Sequence, residues 1–400
     1  MWQGLKNIYH FFVAVLCNVL FLFPARKITV VGVTGTDGKT TTVKLIYEML
    51  RGSGEKVSAV SSIGALINGK DYPLDAHVTT PSSFTAQKFL RRAVSQKSKY
   101  FVIELTSHAI DQYRPWGIHF KIGVLTNVTS EHLDYHKTYD NYLKTKAKLL
   151  LQAEVAIVNA DDSSYTQLVD VRNRKASDKW ITYGFTEASD INLINFPINA
   201  PYLMGDFNKY NALAALACAK TLGVKDQSIR KTLLKFKPPL GRTDIVYKNS
   251  FSVMVDFAHT PNSFSNVLSS IKPHVKGRLI HVFGSAGERD ISKRPFMGEI
   301  SSKYSNIVIL TSEDPRSEDP EAIVDQIASG IKEKDCQVFR IIDRQQAIDA
   351  ALQMAKKDDL VLVTGKAHEK TMNYGEGEVP WSEYKAVAKA LSKRYESTKK

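Results

Sequence analysis

The sequence predicts an α/β protein in which two mainly parallel sheets follow one another, preceded by a short apolar helix. Three observations carry that prediction. β-Branched runs alternate with helical patterns from residue 27 to about residue 221; the alternation stops at the proline- and glycine-bearing stretch KFKPPLGRTD (235–244); and a second alternation begins after it. The expected segments are an apolar helix over 1–26, a central domain over 27–238 and a C-terminal domain over 239–400. At 400 residues the chain is long for one core, and 43% hydrophobic with 24% charged residues is ordinary for a globular protein.

The first segment holds IYHFFVAVLCNVLFLF (8–23), which opens at Ile8, closes at Phe23 and is flanked by Lys6, Arg26 and Lys27. It is shorter than the roughly 20 apolar residues of a spanning helix and contains His10 and Asn18. No small-residue cleavage site follows it, which speaks against a cleaved signal peptide. Two readings stand: a helix packed on the central domain, or one lying peripherally on the inner membrane face.

The central domain opens with KITVVGVTGTDGKTTT (27–42), a buried-strand pattern joined to a helical one by a glycine turn. Gly35 and Gly38 let the backbone approach phosphate oxygens, and the helix start at Thr40 offers free N–H groups. Lys39 supplies charge for the β- and γ-phosphates, and the Thr40 hydroxyl suits their magnesium. The spacing is the short G-T-D-G-K-T form, not the full G-x-x-x-x-G-K-[ST]. The pattern predicts further strands over 57–61, 100–105, 122–127 and 153–159, and a small-residue helix over 213–222. In the C-terminal domain FSVMVDF, RLIHVFG, NIVILT, QVFRII and DLVLVTG read as five strands, with helices starting near 263, 295, 320 and 344; this is a second, Rossmann-like layer.

A net charge of +13 fits nucleic acid, an anionic membrane surface or anionic small substrates. The chain has no aromatic-interleaved basic helix and no zinc-finger spacing, so nucleic acid is not expected; phosphate-bearing substrates explain part of the basicity. Cys17, Cys218 and Cys336 match no metal or redox spacing, as in a reducing, cytoplasmic compartment. Two polar clusters follow predicted strands: Glu104-Leu-Thr106-Ser107-His108, and Asn127 through Glu131, His132, Asp134 and His136. Carboxylates and histidines near a phosphate loop are natural magnesium neighbours.

The motifs GVTGTDGKTTT, TTP (79–81), ELTSHAIDQYR, TNVTSEHLDYH, NADD, GDFNKYN, GRTD, VDFAHTP, VFGSAGERDISKRP, TSEDPRSEDP and GKAHE occur in this order, and together they resemble the Mur ligases. The likeness runs from about residue 27 to residue 381. It is strongest to the branch that adds the third residue of the peptidoglycan stem peptide. The family's own N-terminal uridine-binding domain has no match here; the short apolar segment stands in its place. The resemblance implies an ATP- and Mg2+-dependent, ADP-forming ligase: ATP phosphorylates the acceptor carboxylate, an amine attacks the acyl phosphate, and phosphate leaves.

By matching position, the resemblance assigns ATP to Gly35, Thr36, Asp37, Gly38, Lys39, Thr40, Thr41, Asn208, Asn211, Arg242, Asp256 and His259. Magnesium falls to Thr40, Glu104, His132 and a carbamylated Lys146; Lys39, Glu104, His132, Lys146 and Arg242 form the catalytic set. Thr79, Thr80, Thr106, Gln112 and Arg114 match the positions that hold a muramoyl-dipeptide acceptor, UDP- or lipid-linked. Arg289, Asp314, Arg316, Gly365 and Glu369 match those that hold meso-diaminopimelate, with Arg316 as a bidentate fork for its distal carboxylate and Glu369 for its ammonium. The chain reads Glu313-Asp314-Pro315-Arg316 where Asp-Asn-Pro-Arg is usual. The alternatives are another amide ligase of this superfamily acting on a lipid-linked muropeptide, or a non-catalytic nucleotide-binding partner.

Overall fold

The computed structural model describes residues 2–74, 80–129, 131, 133–173 and 179–397. They fall into two compact units, Met1–Lys237 and Pro238–Lys400. The first runs α1 (Trp2–Leu20), β1 (Thr29–Thr34), α2 (Lys39–Gly52), β2 (Val57–Ser61), β3 (Gly64–Ile67), β4 (Lys70–Tyr72), α3 (Ser83–Ser95), β5 (Tyr100–Glu104), α4 (Ser107–Asp111), β6 (Phe120–Leu125), α5 (Leu133–His136), α6 (Tyr139–Gln152), β7 (Val155–Asn159), α7 (Tyr165–Asn173), β8 (Lys179–Gly184), β9 (Ile191–Asn192), α8 (Asp206–Thr221) and α9 (Asp226–Lys235).

Its sheet is ordered β4-β3-β2-β5-β1-β6-β7-β8-β9, parallel except at the β2-β3-β4 meander. The buried β-branched run of β1 lies between β5 and β6, reached in opposite directions along the sheet, so the switch point where such sheets bind ligands falls at the end of β1. Val31 and Val33 face a core shared with α2 and the alanine-rich α8, while Val30, Phe101 and Ile103 face a second core with Phe89 and Leu90 of α3. Helix α8 is buried around most of its surface because Ala212, Ala214, Ala215, Ala217 and Ala219 let it lie close to its neighbours.

Helix α1 packs on this unit. Ala14 and Cys17 are buried, and the Asn18 amide, 0% exposed, donates to the carbonyls of Ala14 (2.9 Å) and Trp116 (2.7 Å) and accepts from Gln87 Nε2 (3.1 Å). Among the described residues no helix is long and apolar enough to cross a membrane.

The second unit runs β10 (Asp244–Lys248), β11 (Ser252–Asp256), α10 (Pro261–Ile271), β12 (Leu279–Phe283), α11 (Lys293–Tyr304), β13 (Ile307–Leu310), α12 (Pro320–Ala328), β14 (Gln337–Arg340), α13 (Arg344–Met354), β15 (Leu360–Thr364), β16 (Thr371–Asn373), β17 (Glu378–Pro380) and α14 (Glu383–Ser397). Its sheet is ordered β10-β11-β15-β12-β13-β14, with only β10 antiparallel, and β16 pairs with β17 as a separate hairpin. Five parallel strands place the loops after β11, β12, β13 and β15 at one edge.

Candidate active site

The phosphate loop is built as its sequence requires. Gly38 caps α2 at φ 82°, and a Cβ there would lie 2.1 Å from Asn211 Oδ1, so only glycine fits. Gly38 has no side chain to cap this helix start, and the N-terminal end of α2 with its positive dipole faces the loop where phosphate oxygens are expected. The loop is held from β6: Asn127 accepts the Asp37 N–H at Oδ1 (2.9 Å) and the Thr36 N–H at its carbonyl (2.9 Å), and Thr126 Oγ1 donates to the Asp37 carbonyl (2.7 Å). Lys39 Nζ lies 2.7 Å from the Thr36 carbonyl, folded back over the loop. Asn211, bonded to Asn208 (3.1 Å), brings α8 against the start of α2, while Thr41 is buried inside that helix.

Glu104 lies beside Val33 in the β1–β5 register, at the sheet edge. One of its oxygens, Oε2, accepts from Thr40 Oγ1 (3.0 Å) and from the Ser62 N–H (3.0 Å), and Ser62 Oγ lies 3.0 Å from Thr40 Oγ1. Ser62 was missed by sequence reasoning, since a loop serine carries no periodic signal. Among the described residues no three His, Cys, Asp or Glu side chains cluster as metal ligands. A hydroxyl and a carboxylate nevertheless suit Mg2+, which binds few protein oxygens and takes the rest from phosphate and water. His132 lies outside the described residues.

Lys146 of α6 is 1% exposed and donates to the Gly35 carbonyl (2.6 Å), with its nitrogen 4.4 Å from the Tyr142 ring centre. Burial, reinforced by the charge of Lys39, holds its ammonium well below the usual lysine range against the opposing pull of Glu131 and Asp37. The structure therefore brings Lys39, Thr40, Glu104 and Lys146 to one loop.

The expected acceptor strip adjoins it. Thr80 Oγ1 donates to the Glu104 carbonyl (3.1 Å) and accepts the Thr106 N–H (2.8 Å), Arg114 Nη1 reaches the Thr80 carbonyl (3.2 Å), and Arg114 Nε reaches Gln112 Oε1 (2.9 Å). Thr79 lies outside the described residues.

In the second unit, Arg242 sits over the Phe257 ring (4.8 Å), against which His259 and His368 also pack. Phe257 as the shared platform was not foreseen. Both Asp256 oxygens take backbone donors, the N–H groups of Thr243 (2.6 Å) and Ala258 (2.7 Å), so this carboxylate also fastens the turn that carries Arg242. Arg289 is exposed. Asp314 (φ 42°) and Arg316 (φ 55°) hold strained left-handed conformations, fixed by Asn373, whose N–H bonds Asp314 Oδ1 (2.9 Å) and whose carbonyl takes the Arg316 N–H (3.0 Å). Lys366, missed although it stands inside the GKAHE motif, lies between Asp314 (2.8 Å) and Glu369 (2.5 Å). Burial works to lower its ammonium, but Glu369 and Asp314 outweigh this and raise it.

Gly365 (φ 107°) gives room to Glu313: a Cβ there would lie 2.1 Å from Glu313 Oε2, a buried oxygen with no hydrogen-bond partner. Burial pushes the Glu313 carboxyl up to about 7, against the lowering effect of Arg344, Lys293 and Lys366. The folded chain then keeps a proton that the unfolded chain releases near the usual glutamate value, so this group costs stability as pH rises through that window. Between about pH 5 and pH 8 the loss is roughly 3 kcal/mol, and Glu313→Gln removes it. Denaturant melts of both proteins at the two pH values measure the difference; equal pH slopes would contradict it.

Comparison with known proteins accords with this geometry. The Mur ligase middle domain matches residues 33–219, and the Mur ligase, glutamate ligase domain matches residues 241–367. The chain is 37% identical over 395 residues to a UDP-N-acetylmuramoyl-L-alanyl-D-glutamate--2,6-diaminopimelate ligase of Clostridium acetobutylicum, covering 93% of this chain and 80% of the relative. A solved structure of a ligase so described superposes with a TM-score of 0.63 at 29% identity, over 92% of this chain and 79% of that one. A bifunctional folylpolyglutamate synthase/dihydrofolate synthase from Yersinia pestis, complexed with AMPPNP and Mn ion, shares the fold at 17% identity with a TM-score of 0.71, over 96% and 92%. The chain belongs to the Mur ligases, the ATP- and Mg2+-dependent, ADP-forming amide ligases of peptidoglycan biosynthesis.

Proposed function

We propose that this chain joins meso-diaminopimelate to the D-glutamate carboxylate of a muramoyl-dipeptide acceptor, UDP- or lipid-linked, through an acyl phosphate, on the cytoplasmic side where ATP is found. One observation carries the reading. Glu104 faces both ways, its carboxylate accepting from Thr40 of the phosphate loop and its carbonyl from Thr80 of the acceptor strip. A γ-phosphate held by Lys39 and the α2 N-terminus would then lie next to an acceptor carboxylate and in line for transfer to it rather than to water.

Thr40 and Glu104, with His132, would hold Mg2+, whose charge offsets that of the phosphoryl oxygens. Lys146, whose burial beside Lys39 disfavours the ammonium, is suited to add to CO2 with loss of a proton, which would give the site a further carboxylate. Asn208 and Asn211 are proposed as nucleotide contacts of the first unit, and Arg242, Asp256 and His259 as those of the second. For the incoming amino acid, Arg316 would take the distal carboxylate and Glu369 the ammonium, with Arg289, Asp314 and Gly365 completing the site. Lys366 already neutralises part of that charge, which tunes the site for a zwitterionic end rather than a bare ammonium.

The test is phosphate release from ATP by the full chain with UDP-linked and lipid-linked acceptors side by side, each with diaminopimelate or lysine. Release is expected only when acceptor and diaminopimelate are both present, and Arg316→Lys is expected to raise the KM for diaminopimelate about tenfold or more while leaving that for ATP unchanged. Preference for lysine would overturn the amino-acid assignment. Absence of release with every muropeptide would favour a non-catalytic scaffold.

A further inference from the structure

Helix α1 is apolar on two faces, and packing uses only one of them. Ala14, Cys17 and Asn18 face inward, while Phe11 packs edge-on against Tyr113 and Trp116, and Phe21 against Phe84 of α3. On the other side Leu5, Ile8, Tyr9, Phe12, Leu16 and Val19 follow one helical stripe, each between 53% and 68% exposed. Leu20 and Leu22 continue it, and half-exposed Phe84 and Tyr113 border it. No comparable run of exposed apolar side chains occurs elsewhere among the described residues. A patch of this size on a folded chain marks a contact surface.

The charge around the stripe selects its occupant. Lys6 stands near one end and Arg26 and Lys27 past the other, all exposed, and Lys88 and Arg91 follow Phe84 along the outer side of α3. Residues 1–36 contain no Asp or Glu, and neither do residues 80–95. We propose that this face of α1 seats on an anionic bilayer surface, with the helix lying in the interface, its apolar stripe among the acyl chains and its cations at the headgroups. The helix is not long and apolar enough to span, which suits a lying orientation. Two copies meeting through this face would bring like charges together, which disfavours self-association.

The seat is fastened to the strip read above as acceptor-binding, and this part of the inference rests on that reading. Asn7 Nδ2 and the Tyr135 hydroxyl both donate to Asp111 Oδ2 (2.9 and 3.0 Å), Gln3 Nε2 donates to the Tyr135 hydroxyl (2.8 Å), and Phe11 touches the residues on either side of the Arg114-Pro115 step. A muropeptide whose carrier is embedded in the same bilayer would therefore reach the strip without leaving the surface.

Flotation of the purified full chain with vesicles tests the seat. Vesicles of phosphatidylglycerol and phosphatidylethanolamine are expected to carry the protein, those of phosphatidylcholine far less, and raised salt is expected to weaken the binding. Phe12→Glu and Leu16→Glu should each lower partitioning more than about tenfold. Both should keep wild-type circular dichroism and wild-type turnover with a soluble UDP-linked acceptor, so that a failed seat and a failed ligase assignment read differently. Leu16→Gln, which adds no charge, should give a smaller loss in the same direction. No flotation with anionic vesicles, or flotation unchanged in these variants, overturns the proposal. So does a wild-type dimer in sedimentation that Phe12→Glu dissociates, since the face would then belong to a second copy.

Discussion

Exchanging Lys146 for alanine is expected to cut ligase turnover by about a hundred- to a thousandfold while the chain stays folded, and a short carboxylic acid such as acetate is expected to restore part of it. A lysine kept charged would have a different effect: its loss would weaken nucleotide binding, and no carboxylate would help. The distinction follows from the environment of the amine. It is buried, it donates to the Gly35 carbonyl, and burial together with Lys39 disfavours the ammonium, which favours the nitrogen as a nucleophile toward CO2. Wild-type protein stripped of dissolved CO2 should share the deficit and recover with bicarbonate. An alanine variant that works normally without added acid would refute the carbamate.

Arg344→Ala is expected to destabilise the second unit by about 3 to 5 kcal/mol, the cost of leaving a buried carboxylate without its cation. Arg344 and Glu383 are both fully buried, their closest approach is 2.5 Å, and Trp381 Nε1 donates to the other Glu383 oxygen (2.7 Å). The guanidinium also reaches the carbonyls of Ser312 (3.2 Å) and Thr364 (2.6 Å), tying together the loops that carry Glu313 and Gly365. Replacing both partners with apolar residues, Arg344→Met with Glu383→Leu, should recover most of the stability but not the spacing of those loops. The double variant would then melt near wild type and still bind the amino acid poorly. A single variant as stable as wild type would show that the pair contributes little.

The strands were legible because parallel sheets buried on both faces demand mostly apolar, β-branched runs: IVIL and LVLVT need no partner to be recognised. Helix α8 was visible only over its alanine-rich second half, since its first turns, DFNKYN, carry Asn211 beside Gly38 of the phosphate loop, with Asn208 bonded to it, and lack apolar periodicity. The β3-β4 hairpin went unread although Asn68 and Gly69 take the two positive φ values of a tight turn, because strands of four and three residues are too short to show alternation. In the site, the residues named by motif were within reach of sequence. Ser62 and Phe257 were not, because their roles come from what they touch across the sheet edge.

Asn18 has a consequence for orientation. Apolar side chains lie on two faces of α1, so burial alone would leave more than one roll of the helix about its axis comparably favourable. The Asn18 amide, bonded to Ala14, Trp116 and Gln87 at a point where Gly117 leaves it space, breaks that degeneracy together with the Asn7–Asp111 bond nearer the other end of the helix. The side of the molecule offered to its surroundings is thus chosen by a few polar keys, Asn18 with Asn7 and Gln3, and not by greasiness.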